Sequence, residues 1–115
     1  MNDVEQLENQ IDQAKEVMKY RDMALRLNNN RDFKKLILEG FCRDECARYA
    51  QMSADPALSK EDRENAMHMA QAAGHIRRFL SVTCQMGKQA ENQLADIEAE
   101  LDVARAEEAD DEGVA

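Results

Sequence analysis

Residues 90–104 read AENQLADIEAELDVA, and residues 4–18 read VEQLENQIDQAKEVM. In both stretches the apolar residues recur in steps of three and four. The first stripe continues beyond residue 18 and comprises Val4, Leu7, Ile11, Ala14, Met18 and Leu25, with one seam position occupied by Arg21 instead of an apolar residue. The second stripe comprises Ala90, Leu94, Ile97, Leu101 and Ala104. This spacing keeps one narrow seam of a helix turned toward a partner helix. The two stretches therefore predict coiled-coil-like helical arms.

The composition predicts an all-α protein. The chain has 115 residues, 34% of them charged, with one proline, four glycines and 4% aromatic residues. Such a sequence favours long helices over a turn-rich β fold. We expect three helices, with a helix-loop-helix core at 31–83 between arms at 1–30 and 84–106, and a disordered acidic tail at 107–115.

Local signals set the expected helix ends. The first helix covers about 3–28 and is stopped by the run of asparagines that ends at Asn30, because asparagine competes for backbone hydrogen bonds. Asn30 then caps a second helix over about 31–52. Ser59 follows a proline-containing break and is expected to cap a third helix that continues to about residue 107.

The charge is unevenly distributed along the chain. The net charge is −9, and residues 84–115 alone carry two basic and ten acidic groups. No basic face with interleaved aromatic residues is present, so we expect no direct binding of nucleic acid. No apolar run approaches the roughly 20 residues that cross a bilayer, and no secretory signal is evident, so we expect no membrane association and an intracellular site of synthesis.

Three cysteines and two histidines are the residues that a metal site would use. Cys42 and Cys46 share a helix face, and Cys84, His68 and His75 are the other candidates for zinc. The spacing lacks a CxxC knuckle, and an odd cysteine count is typical of reduced thiols. We therefore interpret the cysteines as small buried apolar residues and predict neither a metal nor a cofactor.

The sequence HIRR at 75–78 is the best candidate for acid–base chemistry. No glycine-rich loop, nucleophile motif or orienting partner accompanies it. We predict no catalytic residue and a non-enzymatic protein, with Arg77 and Arg78 facing solvent or pairing with Asp44, Glu45 or Glu64.

The seams of the arms are the predicted partner-binding residues. They comprise Val4, Leu7, Ile11, Met18, Leu25, Leu94, Ile97 and Leu101. The two arms have similar lengths, so they could pair with each other in an antiparallel arrangement or with copies of themselves. The sequence leaves this choice open.

A further pattern lies between the arms. It combines LNNNRDFKKLILEGF at 27–41, ECAR at 45–48, DPAL at 55–58 and IRRFL at 76–80. Over about 27–82 the chain resembles small helical proteins encoded among the head and tail structural genes of tailed bacteriophages. The resemblance implies a virion structural or assembly protein, made in the host cytoplasm, that associates with itself or with capsid, portal or tail components. Two alternatives are an acidic inhibitor of a host nucleic-acid enzyme and a scaffolding or chaperone factor absent from the mature particle.

Overall fold

A computed structural model describes residues 2–113 and confirms an all-α protein with three helices. The first helix is α1 (Asp3–Asn29). The second combines α2 (Arg31–Phe33), a π-helical segment π1 (Lys34–Glu45) and α3 (Cys46–Ser53). The third is α4 (Lys60–Gly113). No strand occurs within residues 2–113.

Side-chain caps fix the helix starts where the sequence predicts them. The Oδ1 atom of Asn30 accepts a hydrogen bond from the backbone N–H of Phe33 at 2.9 Å. The Oγ atom of Ser59 accepts one from the N–H of Asp62 at 3.1 Å, and Asn2 caps α1 in the same way. Each cap satisfies a backbone donor that the first helical turn leaves without a partner.

The π-helical segment is the main departure from the predicted second helix. At its end the backbone N–H of Cys46 donates to the carbonyl of Phe41, five residues back. This winding differs from the 3.6-residue α period on which the sequence pattern rests. Leu36, which the α period places on the core face, is 71% exposed, whereas Cys42 is buried.

The backbone contacts divide the chain into two compact units. In one, residues 2–23, which contain most of α1, lie against residues 83–113 of α4, and we call this unit the helix pair. The other spans residues 24–82 and contains the second helix with parts of α1 and α4; we call it the three-helix unit. It covers nearly the same residues as the core that the sequence predicts at 31–83.

The buried apolar side chains are mostly small. They are Ile11, Ala14 and Leu101 in the helix pair, and Ala24, Cys42, Ala66 and Ala73 in the three-helix unit. Several larger residues that the α4 pattern places in the core, namely Met69, Ile76 and Phe79, are exposed instead. Packing through alanines brings helices close together and leaves bulky flanking side chains outside the contact.

The acidic end of the chain differs from the expected disordered tail. Helix α4 continues through residues 107–113, and the last two residues of the predicted tail lie outside the described part of the chain. Glutamate and alanine are good helix formers, and residues 107–113 contain three glutamates and one alanine.

Candidate association surfaces

The two predicted seams meet each other within one chain. Ile11 and Leu101 are buried and line the same groove between α1 and α4. The other predicted seam residues of the helix pair (Val4, Leu7, Met18, Leu94 and Ile97) are half-buried. Leu25 belongs to the three-helix unit and is exposed.

Two ion pairs show that the seams run antiparallel. The Nη2 atom of Arg105 lies 3.0 Å from the Oε1 atom of Glu8. Arg21 is paired with Glu91. Arg21 lies thirteen residues after Glu8 in α1, whereas Glu91 lies fourteen residues before Arg105 in α4. The two ion pairs therefore align α1 and α4 in opposite directions. This is the antiparallel pairing within one chain, one of the two arrangements that the sequence left open.

Arg21 and Gly87 occupy opposing seam positions. The side chain of Arg21 is only 15% exposed, and its Nη1 atom donates to the carbonyl of Gly87 at 3.4 Å. A Cβ atom built on Gly87 would lie 2.8 Å from Cγ and 2.9 Å from Cδ of Arg21, and still closer to its Cβ. Gly87 is therefore required for the stem of Arg21 to cross the seam.

The acidic groups around Arg21 favour the ionised form of its guanidinium. The hydrogen bond to Glu91 is the largest cause that raises the pKa of Arg21 above its ordinary value; desolvation opposes it, and the hydrogen bond to Asp22 adds to the rise. A polar seam position that finds partners in only one alignment specifies register, as a buried polar residue does in other coiled coils. We interpret Arg21 and Gly87 as the register-setting contact of the helix pair.

The sequence contained a signal for this contact that our prediction did not use. Arg21 interrupts the first stripe, and Gly87 lies three residues before Ala90, in phase with the second stripe. When the two helices are antiparallel, the glycine in one seam leaves room for the arginine side chain in the other. Gly40 lies on the apolar stripe of the second helix, where a glycine predicts close approach of another helix. An added Cβ there would meet only the carbonyl of Lys35, in the same helix, within 4 Å.

In the three-helix unit, side chains of one helix bond backbone carbonyls of another. The Nη2 atom of Arg77 donates to the carbonyl of Leu38 in π1 at 3.1 Å, and the Sγ atom of Cys46 lies 3.5 Å from the carbonyl of Ala70. Arg77 is exposed, as expected, but its partner is the backbone carbonyl of Leu38 and not a carboxylate. Its guanidinium links α4 to the second helix.

The acidic residues proposed as partners for Arg77 and Arg78 are instead paired locally. Arg43 donates to Asp44 at 2.9 Å, and Arg48 donates to both carboxylate oxygens of Glu45 at 2.7–3.3 Å. These hydrogen bonds lower the pKa of Asp44 and of Glu45. Because both pairs are exposed, they contribute little to stability.

The three-helix unit exposes more large apolar side chains than it buries. Leu36 is 71% exposed and Phe79 is 69% exposed, and five others are at least about a third exposed: Leu25, Leu27, Met67, Met69 and Ile76. Its buried apolar residues are three alanines and one cysteine. Burying a leucine or phenylalanine stabilises by about 1.5–3 kcal/mol, so much of this unit's hydrophobic free energy is available to a partner. These seven residues are distributed over all three helices of the unit, and we refer to them together as the apolar surface.

The candidate metal and catalytic residues do not form a recognisable centre. Cys42 is buried, Cys46 and Cys84 are half-buried, and His68 and His75 are exposed. Among residues 2–113, no group of three or more histidine, cysteine or acidic side chains is placed to hold a metal ion.

Comparisons with protein-family models, curated proteins and solved structures find no match to this chain. Of the helices described, none is both long and apolar enough to span a membrane.

Proposed function

We propose that this chain is a non-enzymatic assembly protein that acts through helix–helix association, as a structural or assembly component of a tailed bacteriophage particle. Its partners are copies of itself or capsid, portal or tail components. The observation that carries the proposal is the apolar surface on the three-helix unit. Large apolar side chains that a fold leaves exposed are more typical of protein association than of catalysis.

The location of the apolar surface supports the phage context. The residues that resemble phage structural proteins cover about 27–82 and coincide with the three-helix unit at 24–82. Because the arm seams are occupied within the chain, association uses this surface rather than the seam residues alone.

Mass spectrometry of purified particles from the native source tests the proposal. We expect peptides of this chain at a level comparable to those of the virion structural proteins. Recovery only in assembly precursors identifies a scaffolding factor. Absence from both particles and precursors contradicts the proposal.

A substitution in the apolar surface tests the surface itself. Leu36→Glu places a charge on an exposed apolar position and should abolish incorporation without loss of helix content, because Leu36 contributes little to the fold. Gln71→Glu adds the same charge at an exposed position of the same unit and should incorporate normally. Equal incorporation of both variants contradicts the role of this surface.

The acidic inhibitor is a second candidate, because all ten acidic residues of 84–113 lie on one helix. A mimic of a phosphate backbone needs carboxylates on an ordered frame, and helix α4 supplies one. Truncation after residue 106 separates the two functions: an inhibitor should lose most of its potency, whereas an assembly protein should still enter particles.

A further inference from the structure

One groove of the helix pair is lined without a single charged group. A groove of about 390 Å³ runs between α1 and α4, and four glutamines contribute to it: Gln10, Gln13, Gln89 and Gln93. The remaining lining residues are apolar, and one of them, Met86, is 51% exposed. We call this surface the amide groove.

A second groove of the helix pair has the opposite character. Six of its eight lining residues are charged: Glu8, Asp12, Lys15, Glu98, Asp102 and Arg105. The helix pair as a whole carries five basic and sixteen acidic residues, a net charge of −11, whereas the three-helix unit is at +2. The absence of charge in the amide groove is therefore a local exception on a strongly acidic unit.

The charge distribution indicates which partner binds the amide groove. A basic partner is attracted to the acidic faces of the helix pair and finds no opposite charge in a neutral groove. Depletion of charged residues in the centre of a contact is the compositional sign of a protein interface. Two copies of an acidic helix pair repel each other least when they meet through the groove whose lining has no charge.

The amide groove is also complementary to itself. Each glutamine amide offers two donors and one acceptor oxygen, so the amides of one copy can satisfy those of another. A twofold axis through the groove brings identical residues together, which is the usual geometry of a homodimer. Met86 and Val17 supply apolar area at the same contact.

We propose that a second copy of this chain docks on the amide groove with its own amide groove, so that two helix pairs form a four-helix bundle. This inference rests on the proposed assembly function but uses a surface separate from the apolar surface around Leu36. The dimer is then the unit that presents two apolar surfaces to a larger particle.

Sedimentation velocity of the full chain over a dilution series tests the proposal. The wild type should be a dimer that dissociates on dilution. Gln13→Glu combined with Gln89→Glu places four carboxylates in one dimer contact, and because like charges across an interface cost several kcal/mol, the dissociation constant should rise by about 100-fold or more. If circular dichroism shows that this variant has lost helix content, Gln93→Glu alone carries the test and should weaken the dimer in the same direction.

The matched control adds the same charge elsewhere. Gln51 and Gln71 are exposed in the three-helix unit, and replacing both by glutamate should leave the dimer nearly unchanged. A chain that is monomeric throughout the series, or a dimer equally insensitive to the groove variant, overturns the proposal. A monomer that still enters particles overturns the dimer and leaves the assembly function standing.

Salt distinguishes this contact from a charge-driven one. Added sodium chloride screens the repulsion between two acidic helix pairs, so a dimer through the amide groove should hold or tighten. An association of the basic three-helix unit of one copy with the acidic helix pair of another should weaken instead, and that result overturns the proposal.

Discussion

Replacement of Gly87 by alanine tests the register contact of the helix pair. Alanine in a helix interior is favoured over glycine by about 0.5–1 kcal/mol. At residue 87, however, the new Cβ would lie under 3 Å from three carbons of Arg21, including its Cβ. That carbon is fixed to the backbone of α1, so the contact can be relieved only if the two helices separate.

The expected magnitude follows from two opposing terms. Overpacking of a tight contact costs about 1–3 kcal/mol, and the part-buried hydrogen bond from Arg21 to the Gly87 carbonyl is worth about 1 kcal/mol. After the gain in helix propensity, Gly87→Ala should destabilise the helix pair by about 1–3 kcal/mol. Gly74 has no atom within 4 Å of an added Cβ, so Gly74→Ala should stabilise its helix by about 1 kcal/mol.

A double-mutant cycle with Arg21 locates the clash. Urea unfolding followed by far-UV circular dichroism gives the free energies, since most of the signal is helical. Arg21→Gly removes the opposing Cβ and should rescue Gly87→Ala by about 1–3 kcal/mol beyond additivity. Arg21→Ala retains that Cβ and should not rescue. If Gly87→Ala is as stabilising as Gly74→Ala, the close approach at this seam position is refuted.

Three further predictions concern buried and ion-paired positions. Ile11→Asp places a carboxylate at a buried seam residue and should destabilise the helix pair by about 3 kcal/mol or more, whereas Asp12→Ala beside it is exposed and should change the unfolding midpoint little. Ala73 is 1% exposed, so Ala73→Leu should cost about 1–3 kcal/mol in a thermal melt, and a neutral effect would contradict the tight alanine packing. Because hydrogen bonds from Arg48 lower the pKa of Glu45, its ionised form stabilises the folded chain above its ordinary pKa of about 4.3. The small stability advantage of the wild type over Glu45→Gln should therefore vanish as the pH falls through the lowered pKa, and a difference that persists in acid would show that the ion pair is not its source.

The helix count and the helix ends could be predicted because they depend on local chemistry. Asn30 and Ser59 cap helices through hydrogen bonds made within three residues of themselves. The apolar steps of three and four likewise reflect the geometry of one helix. Caps and apolar spacing act within one or two turns of a single helix, so they can be recognised without knowing what packs against that helix.

The inward faces were predicted less well because they depend on what packs against each helix. The α period placed Leu36 in the core, but residues 34–45 are wound as a π helix and Leu36 is 71% exposed. The pattern of α4 predicts that Ala66, Ala73 and Phe79 all face the core, but only the two alanines are buried and Phe79 is 69% exposed. Composition and periodicity do not show which of two neighbouring stripes a partner helix covers.

The Arg21–Gly87 contact and the amide groove could not be predicted from either helix alone, because each is formed by residues of both α1 and α4. Arg21 alone is a defect in a stripe, and Gly87 alone resembles a helix interruption. The amide groove is assembled from residues 10–17 and 86–97, and its neutrality is visible only when these two stretches are brought side by side.

Spin labels on the helix pair give the most direct test of the claim that the two seams cover each other within one chain. Asp12 and Asp102 are exposed and line the same groove, so labels at these positions should be close together. Pulsed electron paramagnetic resonance on doubly labelled chains diluted with excess unlabelled protein should give a short distance that dilution does not change. A short distance that disappears on dilution, or no short distance at all, would show that the arms pair between chains or not at all, and would contradict the account.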